Sequence, residues 1–389
     1  MQFIFKNTFL FWLVLSSLST AFGQTSIRTA AEQMEVYSPL IKGKKVGLVA
    51  HQASLVNTSG GALHLVDYLL SSKVALKKIY APEHGFRGTA DDGEKVNNQT
   101  DPKSGLPILS LYGKKRKPTA EMLSGIEIML FDLQDVGARF YTYLSTLHYV
   151  MEACAENNIP LVILDRPNPN GHYVDGPVLD LAYKTFVGMH AVPIVYGMTI
   201  GEYAQMINGE KWLNNGIQAD LTVIPLKNYK HDTPYELPVR PSPNLPNAQA
   251  VALYPSLCLL EPTIVSVGRG TNSQFQIYGH PDFKGLDFSF TPQPNFGSKY
   301  PKRKGELCFG IDLQSVARPN QIELKWLLDA YKRTPNKGIF FLKSFTRIAG
   351  SPRLQNQIEK GWNEAQIRSN WKNELDAFKK IREKYLIYP

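Results

Sequence analysis

The sequence predicts an α/β fold built on a mainly parallel sheet with helices on both faces, joined to a second, less regular region. Three observations carry this. Short continuous apolar runs alternate with segments of helical periodicity through the first half, as expected of strands buried on both faces. The chain has 389 residues, more than one ordinary core accommodates. Pro234, Pro238, Pro241, Pro243 and Pro246 then mark a shift in composition, which puts a domain boundary near residue 230 and an extended linker or binding loop after it.

In chain order, "KKVGLVAH" (44–51) reads as a buried strand, "GALHLVDYLLSS" (61–72) as a helix, and "VALKKIYAPEHG" (74–85) as a strand running into a loop. "IEIMLFDLQD" (126–135) is another strand. Phe140, Tyr143, Leu144, Leu147, Val150, Met151 and Cys154 then recur at helical spacing, and "IPLVILDRPNPNG" (159–171) returns as a strand. "VPIVYG" (192–197) continues the alternation into the helix "TIGEYAQMINGEKWLN" (199–214), where Thr199 and Glu202 have capping-box spacing. "ADLTVIPLKNY" (219–229) closes the unit as a strand. The chain ends in a helical stretch with Ile367, Trp371, Leu375, Phe378 and Ile381 on one face.

Lys6 is followed by the apolar run "TFLFWLVLSSLSTAFG" with the small-residue pattern Ala21-Phe22-Gly23, which reads as a signal peptide over residues 1–23, cut before Gln24, and implies a secreted or periplasmic protein without a stable membrane anchor. The units are then residues 24–230 and 231–389. Cys154, Cys258 and Cys308 lie far apart among apolar neighbours, so buried free thiols are expected rather than a disulfide framework. Lys and Arg number 43 against 34 Asp and Glu, a net charge of +9, which favours polyanionic surroundings such as cell-wall polymer. The clusters "KKRK" (114–117) and "KRK" (302–304) read as solvated loops, and no nucleic-acid-binding motif accompanies them.

The chemistry is expected where the strands end. His51 and Gln52 follow the first strand, Glu83 and His84 the second, Asp132, Gln134 and Asp135 the third, and Asp165 and Arg166 the fourth. In an open parallel sheet these ends share the rim where ligands bind. No GxGxxG or GxxxxGK[ST] spacing is present for a nucleotide, no GxSxG elbow for a serine nucleophile, and no HExxH or paired-cysteine spacing for a metal. No cofactor is expected. Convergence of His51, His84 and Asp132 on a metal keeps a metal-dependent hydrolase as one alternative, and a non-catalytic binding protein is another. Carboxylate chemistry remains, as in glycoside hydrolysis, which needs an acid for the leaving oxygen and a second group. Glu83 is the leading acid/base because a strand end fixes its backbone, with Gly85 and Gly88 permitting a tight turn.

Six motifs in order carry a resemblance: "PEHGFRG" (82–88), "DLQDVGARFYTY" (132–143), "LDRPNPNG" (164–171), "YGMTIGE" (196–202), "RPSPNLP" (240–246) and "SVGRGTNSQFQIYG" (266–279). The chain resembles the NamZ-type exo-β-N-acetylmuramidases, glycoside hydrolase family 171. The resemblance implies a Rossmann-like, mainly parallel sheet with a second, smaller α+β domain, a site in the cleft between them, and release of N-acetylmuramic acid from non-reducing ends of peptidoglycan-derived disaccharides or muropeptides. It makes Glu83 the leading catalytic residue. His84, Asp132 and Asp135 complete the candidate catalytic set, with the substrate's 2-acetamido group as a further candidate partner. The candidate substrate contacts are His51, Gln52, Arg87, Arg139, Tyr141, Asp165, Arg166, Arg240, Asn244 and Arg269. The lactyl carboxylate calls for an arginine fork, with Arg87, Arg139, Arg240 and Arg269 as candidates. This chain departs from the family pattern in "EPTIVSVGRG" (261–270), where a glycine usually follows the glutamate, and in "YGHPDF" (278–283).

Overall fold

The computed structural model describes residues 26–86, 98–113 and 115–389. The expected signal segment and Arg87, Gly88, Asp91, Asp92, Glu94 and Lys114 lie outside them.

The strands of the first half are β1 (Val46–Ala50), β2 (Leu55–Thr58), β3 (Gly61–His64), β4 (Leu76–Ala81), β5 (Gln99–Thr100), β6 (Pro107–Ser110), β7 (Ile128–Asp132), β8 (Leu161–Leu164) and β9 (Leu221–Ile224). Among the described residues, seven of them form one sheet in the order β5-β6-β4-β1-β7-β8-β9. Every pairing in it is parallel except that of the short edge strand β5 with β6. From β1 the chain moves outward to β4 and β6, then crosses back to β7 and on to β8 and β9. That reversal beside β1 is the switch point of a doubly wound, Rossmann-like sheet, and the crevice outside the carboxyl ends of β1 and β7 is its natural ligand site.

Period-two alternation splits the core. Leu48, Ala50, Ile79, Leu130 and Val162 face one layer with the helices α1 (Met34–Ile41) and α2 (Leu65–Ser71). Val49, Tyr80, Met129, Phe131 and Ile163 face the other, which holds α4 (Tyr143–Glu156) and α5 (Ile200–Gly209); the short α3 (Ala120–Leu123) packs there too.

The second layer runs on without interruption past residue 230. It takes in α6 (Ala248–Leu257), α7 (Leu324–Arg333), α8 (Phe345–Ala349), α9 (Arg353–Glu359) and α10 (Glu364–Arg382). A small antiparallel sheet joins them, in the order β10 (Ile277–His280), β12 (Cys308–Asp312), β11 (Phe288–Phe290). The chain then returns to the first sheet: Tyr388 donates to Asp165 Oδ2 at 2.6 Å and accepts from Leu226 N at 2.8 Å. The expected apolar face of α10 is observed, with Ile367, Trp371, Leu375 and Phe378 buried, and the three cysteines are free and buried. No helix of the described residues is long and apolar enough to cross a membrane.

Two local expectations are corrected. Residues 61–64 form a hairpin with β2 instead of a first helical turn. His64 caps α2, its Nδ1 accepting from Val66 N at 3.2 Å. "VPIVYG" forms isolated bridges through Val195 to Ala138 and Asp175 instead of a strand. By contrast the Thr199 and Glu202 capping box is present in full.

Candidate active site

β4 ends in the buried Tyr80-Ala81 and delivers Glu83 into a tight turn closed by Gly85 N donating to Pro82 O at 3.0 Å. The turn needs left-handed backbone at two consecutive residues, His84 at φ 68° and Gly85 at φ 76°. Glycine adopts this freely, and a histidine held there is a strained position of the kind that clusters at functional sites. Glu83 is 4% exposed. Thr142, at the N-terminus of α4, donates from Oγ1 to Glu83 Oε2 at 2.7 Å.

Behind Glu83 lies His51. Its Nε2 accepts from Gln134 N at 3.0 Å, and its Nδ1 meets Tyr143 Oη at 3.2 Å. Burial, with the nearby Arg166 cation, holds its pKa well below the ordinary value. The neutral ring therefore carries its proton on Nδ1 and donates to Tyr143, whose hydroxyl is directed to the Glu83 carbonyl at 3.5 Å.

Glu83 and His84 open into a cavity of about 410 Å³, within the range of small-ligand sites. Its apolar wall includes Phe140, Tyr141, Tyr254 and Phe275, locked edge to face with ring separations of 5.3 Å for Phe140–Tyr254 and 5.0 Å for Tyr254–Phe275. The proline-rich passage contributes Ser242, Asn244 and Leu245 to the lining. Asn244 is oriented by Nδ2 donating to Gly297 O at 2.5 Å. Its buried Oδ1 has no hydrogen-bond partner among the described residues.

The C-terminal half supplies Glu261 and Arg269, paired at 2.8 Å. Arg269 is placed by its flanking glycines. A Cβ at Gly268 would lie 2.6 Å from Ser273 O, and one at Gly270 2.6 Å from Pro301. Lys302 secures the same segment by donating to the carbonyls of Glu261, Thr263 and Val265 at 2.6, 2.5 and 3.1 Å. The reading of residues 302–304 as a solvated loop is thus corrected for Lys302, whose pKa burial lowers to about 8. In residues 114–117 the described Lys115 and Arg116 are exposed as expected, and the reading is corrected for Lys117. Lys117 bridges Glu152 and Glu156, and Arg116 lies over the Phe186 ring at 4.4 Å and lines the cavity.

Of the candidates named from sequence, the cavity gathers Glu83, His84, Tyr141, Asn244 and Arg269. The other described candidates lie outside its lining. Asp132 is held by Arg166 in a buried two-point ion pair of 2.6 and 2.8 Å, so this pair ties β7 to β8 behind the cavity. Asp165 sits at the start of α5, accepting from Thr199, Gly201 and Tyr388. Asp135 accepts from Gly137 N at 2.7 Å and from Tyr196 Oη, and its Oδ1 is unpaired among the described residues. Burial raises Asp165 to about 7 and Asp135 to about 6. Arg139 donates to the carbonyls of Pro177, Val192 and Ile348 and tethers α8. Gln52 donates to the Arg240 and Pro241 carbonyls and holds the proline-rich passage, while Arg240 is exposed near Phe296. Among the described residues no three His, Cys, Asp or Glu side chains gather as metal ligands would.

Sequence reasoning missed Arg116, Glu261, Arg347 and, in the aromatic wall, Phe140, Tyr254 and Phe275. Arg116, Glu261, Arg347 and Tyr254 lie outside the six motifs and are brought in by tertiary packing.

Residues 46–249 match the family model described as exo-β-N-acetylmuramidase NamZ, N-terminal, and residues 252–388 match its C-terminal counterpart. The chain is 39% identical over 374 residues to the peptidoglycan β-N-acetylmuramidase NamZ of Bacillus subtilis (strain 168), covering 90% of this chain and 89% of the relative. It is also similar to two crystal structures of DUF1343 family proteins from Bacteroides fragilis NCTC 9343. The first has a TM-score of 0.86 and 42% identity over 94% of this chain and 99% of that one. The second has a TM-score of 0.81 and 28% identity over 93% and 99%.

Proposed function

The chain belongs to the NamZ family of exo-β-N-acetylmuramidases, and from that premise we propose that it removes N-acetylmuramic acid from the non-reducing ends of peptidoglycan fragments, with Glu83 as general acid and base. It is a peptidoglycan-related glycoside hydrolase. The observation that carries the assignment of Glu83 is its position: a buried carboxyl at a parallel-strand end, hydrogen-bonded by Thr142, opening into the cavity.

Asp132 and Asp135 do not line that cavity, which leaves the substrate's own 2-acetamido group as the partner the geometry favours. The unpaired Oδ1 of Asn244 supports this reading, since it is an acceptor suited to an acetamido N–H. In the first step Glu83 protonates the leaving glycosidic oxygen as the C1–O bond breaks and the acetamido oxygen bonds to C1. In the second, the Glu83 carboxylate takes a proton from water, whose oxygen attacks C1 and reopens the ring. The configuration at C1 is retained.

Disaccharides carrying N-acetylmuramic acid or N-acetylglucosamine at the non-reducing end test the function. Release of the β-anomer from the former alone, followed by NMR, is expected; cleavage of both equally, or of neither, contradicts it. Export to the periplasm or exterior is part of the proposal, supported by Lys6 and the apolar run before Gln24.

A further inference from the structure

Resting on the muramidase reading, we propose that Arg347 and Arg116 form the subsite that reads the lactyl carboxylate, the group that distinguishes N-acetylmuramic acid from N-acetylglucosamine. The other described arginines considered for this role are already engaged. Arg139 is directed at three carbonyls and Arg166 at Asp132. Arg240 does not line the cavity, and Arg269 is paired with Glu261 inside it. Arg116 and Arg347 both line the cavity, and among the described residues neither guanidinium has a carboxylate or other hydrogen-bonding partner.

Their settings suit a carboxylate. Arg116 presents a face to Phe186 at 4.4 Å. A guanidinium stacked in this way keeps its N–H edge for a planar anion while the ring restricts its motion. Arg347 is carried by α8, which is anchored by the buried Phe345 and Ala349 and by Arg139 donating to Ile348 O at 2.9 Å. Among the described residues the carboxyl side chains lining the cavity are Glu83 and Glu261, and Arg269 accompanies the second. Arg116 and Arg347 therefore add two guanidinium groups to the lining, neither of them paired with a carboxylate among the described residues. A single sugar carboxylate supplies the complement, bound by guanidinium groups from both halves of the chain.

The test compares wild type with Arg347→Ala, Arg116→Ala and the corresponding lysine variants. The substrates are three chromogenic glycosides: the N-acetylmuramide, the same muramide with its lactyl carboxyl converted to the amide, and the N-acetylglucosaminide. Each alanine variant is expected to lose about 10- to 100-fold in kcat/KM on the free acid, the span of a charge-assisted hydrogen bond, while the amide changes little and the glucosaminide stays uncleaved. Lysine restores part of the loss. Folded variants that keep the wild-type ratio of free-acid to amide turnover overturn the proposal. Calorimetric binding of free N-acetylmuramic acid reads the same contact without turnover. Arg347-dependent binding by a wild type that cleaves no muramide would sink the hydrolase reading and support the subsite; binding unaffected by either substitution would overturn the subsite whatever the turnover.

Discussion

Thr142 donates its hydroxyl to Glu83 across 2.7 Å, although it stands at the position from which a threonine usually caps the helix behind it. α4 makes no side-chain cap bond with Thr142. The hydroxyl is given to the carboxyl of the neighbouring strand end, and this contact orients the acid.

Thr142→Val therefore removes a positioning contact and no helix cap. The expected result is a fall of about 10-fold in kcat, the worth of one hydrogen bond, with KM and Tm nearly unchanged, a displaced pH–rate profile, and recovery in Thr142→Ser. A loss of Tm with kcat intact would show that the hydroxyl serves the helix instead.

Asp132 and Arg166 are buried to 0% and 2% side-chain exposure. Removing one partner of such a pair costs about 3–5 kcal/mol because the other charge is left buried and unpaired. Asp132→Asn should lower the urea midpoint sharply while the folded fraction keeps its kcat. A stable variant without turnover would return Asp132 to the catalytic set.

Asn244→Ala should reduce kcat/KM about 10-fold on the N-acetylated muramide and weaken calorimetric binding of free N-acetylmuramic acid, while binding of the analogue with hydroxyl in place of the acetamido group changes little. Equal losses of binding for both ligands would remove Asn244 from acetamido recognition.

The carboxyls of Asp165 and Asp135, raised by burial from 3.8 to about 7 and about 6, make stability depend on pH. Between the ordinary and the raised values the native chain holds protons that the unfolded chain has released. Their contribution is thus complete below about pH 4 and is lost as pH rises through about 6 and 7. Thermal unfolding should show Tm falling between pH 5 and 7.5 more steeply in wild type than in Asp165→Asn. Parallel curves would contradict the assignment.

The parallel strands were legible because burial on both faces leaves continuous apolar runs such as "KVGLVA" and "IMLFD". The β2–β3 hairpin was not, since Ala62, Leu65 and Leu69 mimic helical spacing; Gly60-Gly61 was the available turn signal. In the site, Glu83 was legible because one strand and one turn place it. The strand-end rule also selected Asp132, Asp165 and Arg166, because it locates a backbone and says nothing of which neighbour a side chain meets. Arg116, Glu261 and Arg347 depend on packing between distant segments, for which spacing along the chain carries no signal.

The most direct test is the turnover of a chromogenic N-acetylmuramide by Glu83→Gln, an isosteric change that can still accept from Thr142 while losing the transferable proton. With the fold verified by thermal unfolding, kcat should fall by roughly 10²- to 10⁴-fold, the usual worth of a general acid and base. A folded Glu83→Gln enzyme that retains wild-type turnover would contradict the account.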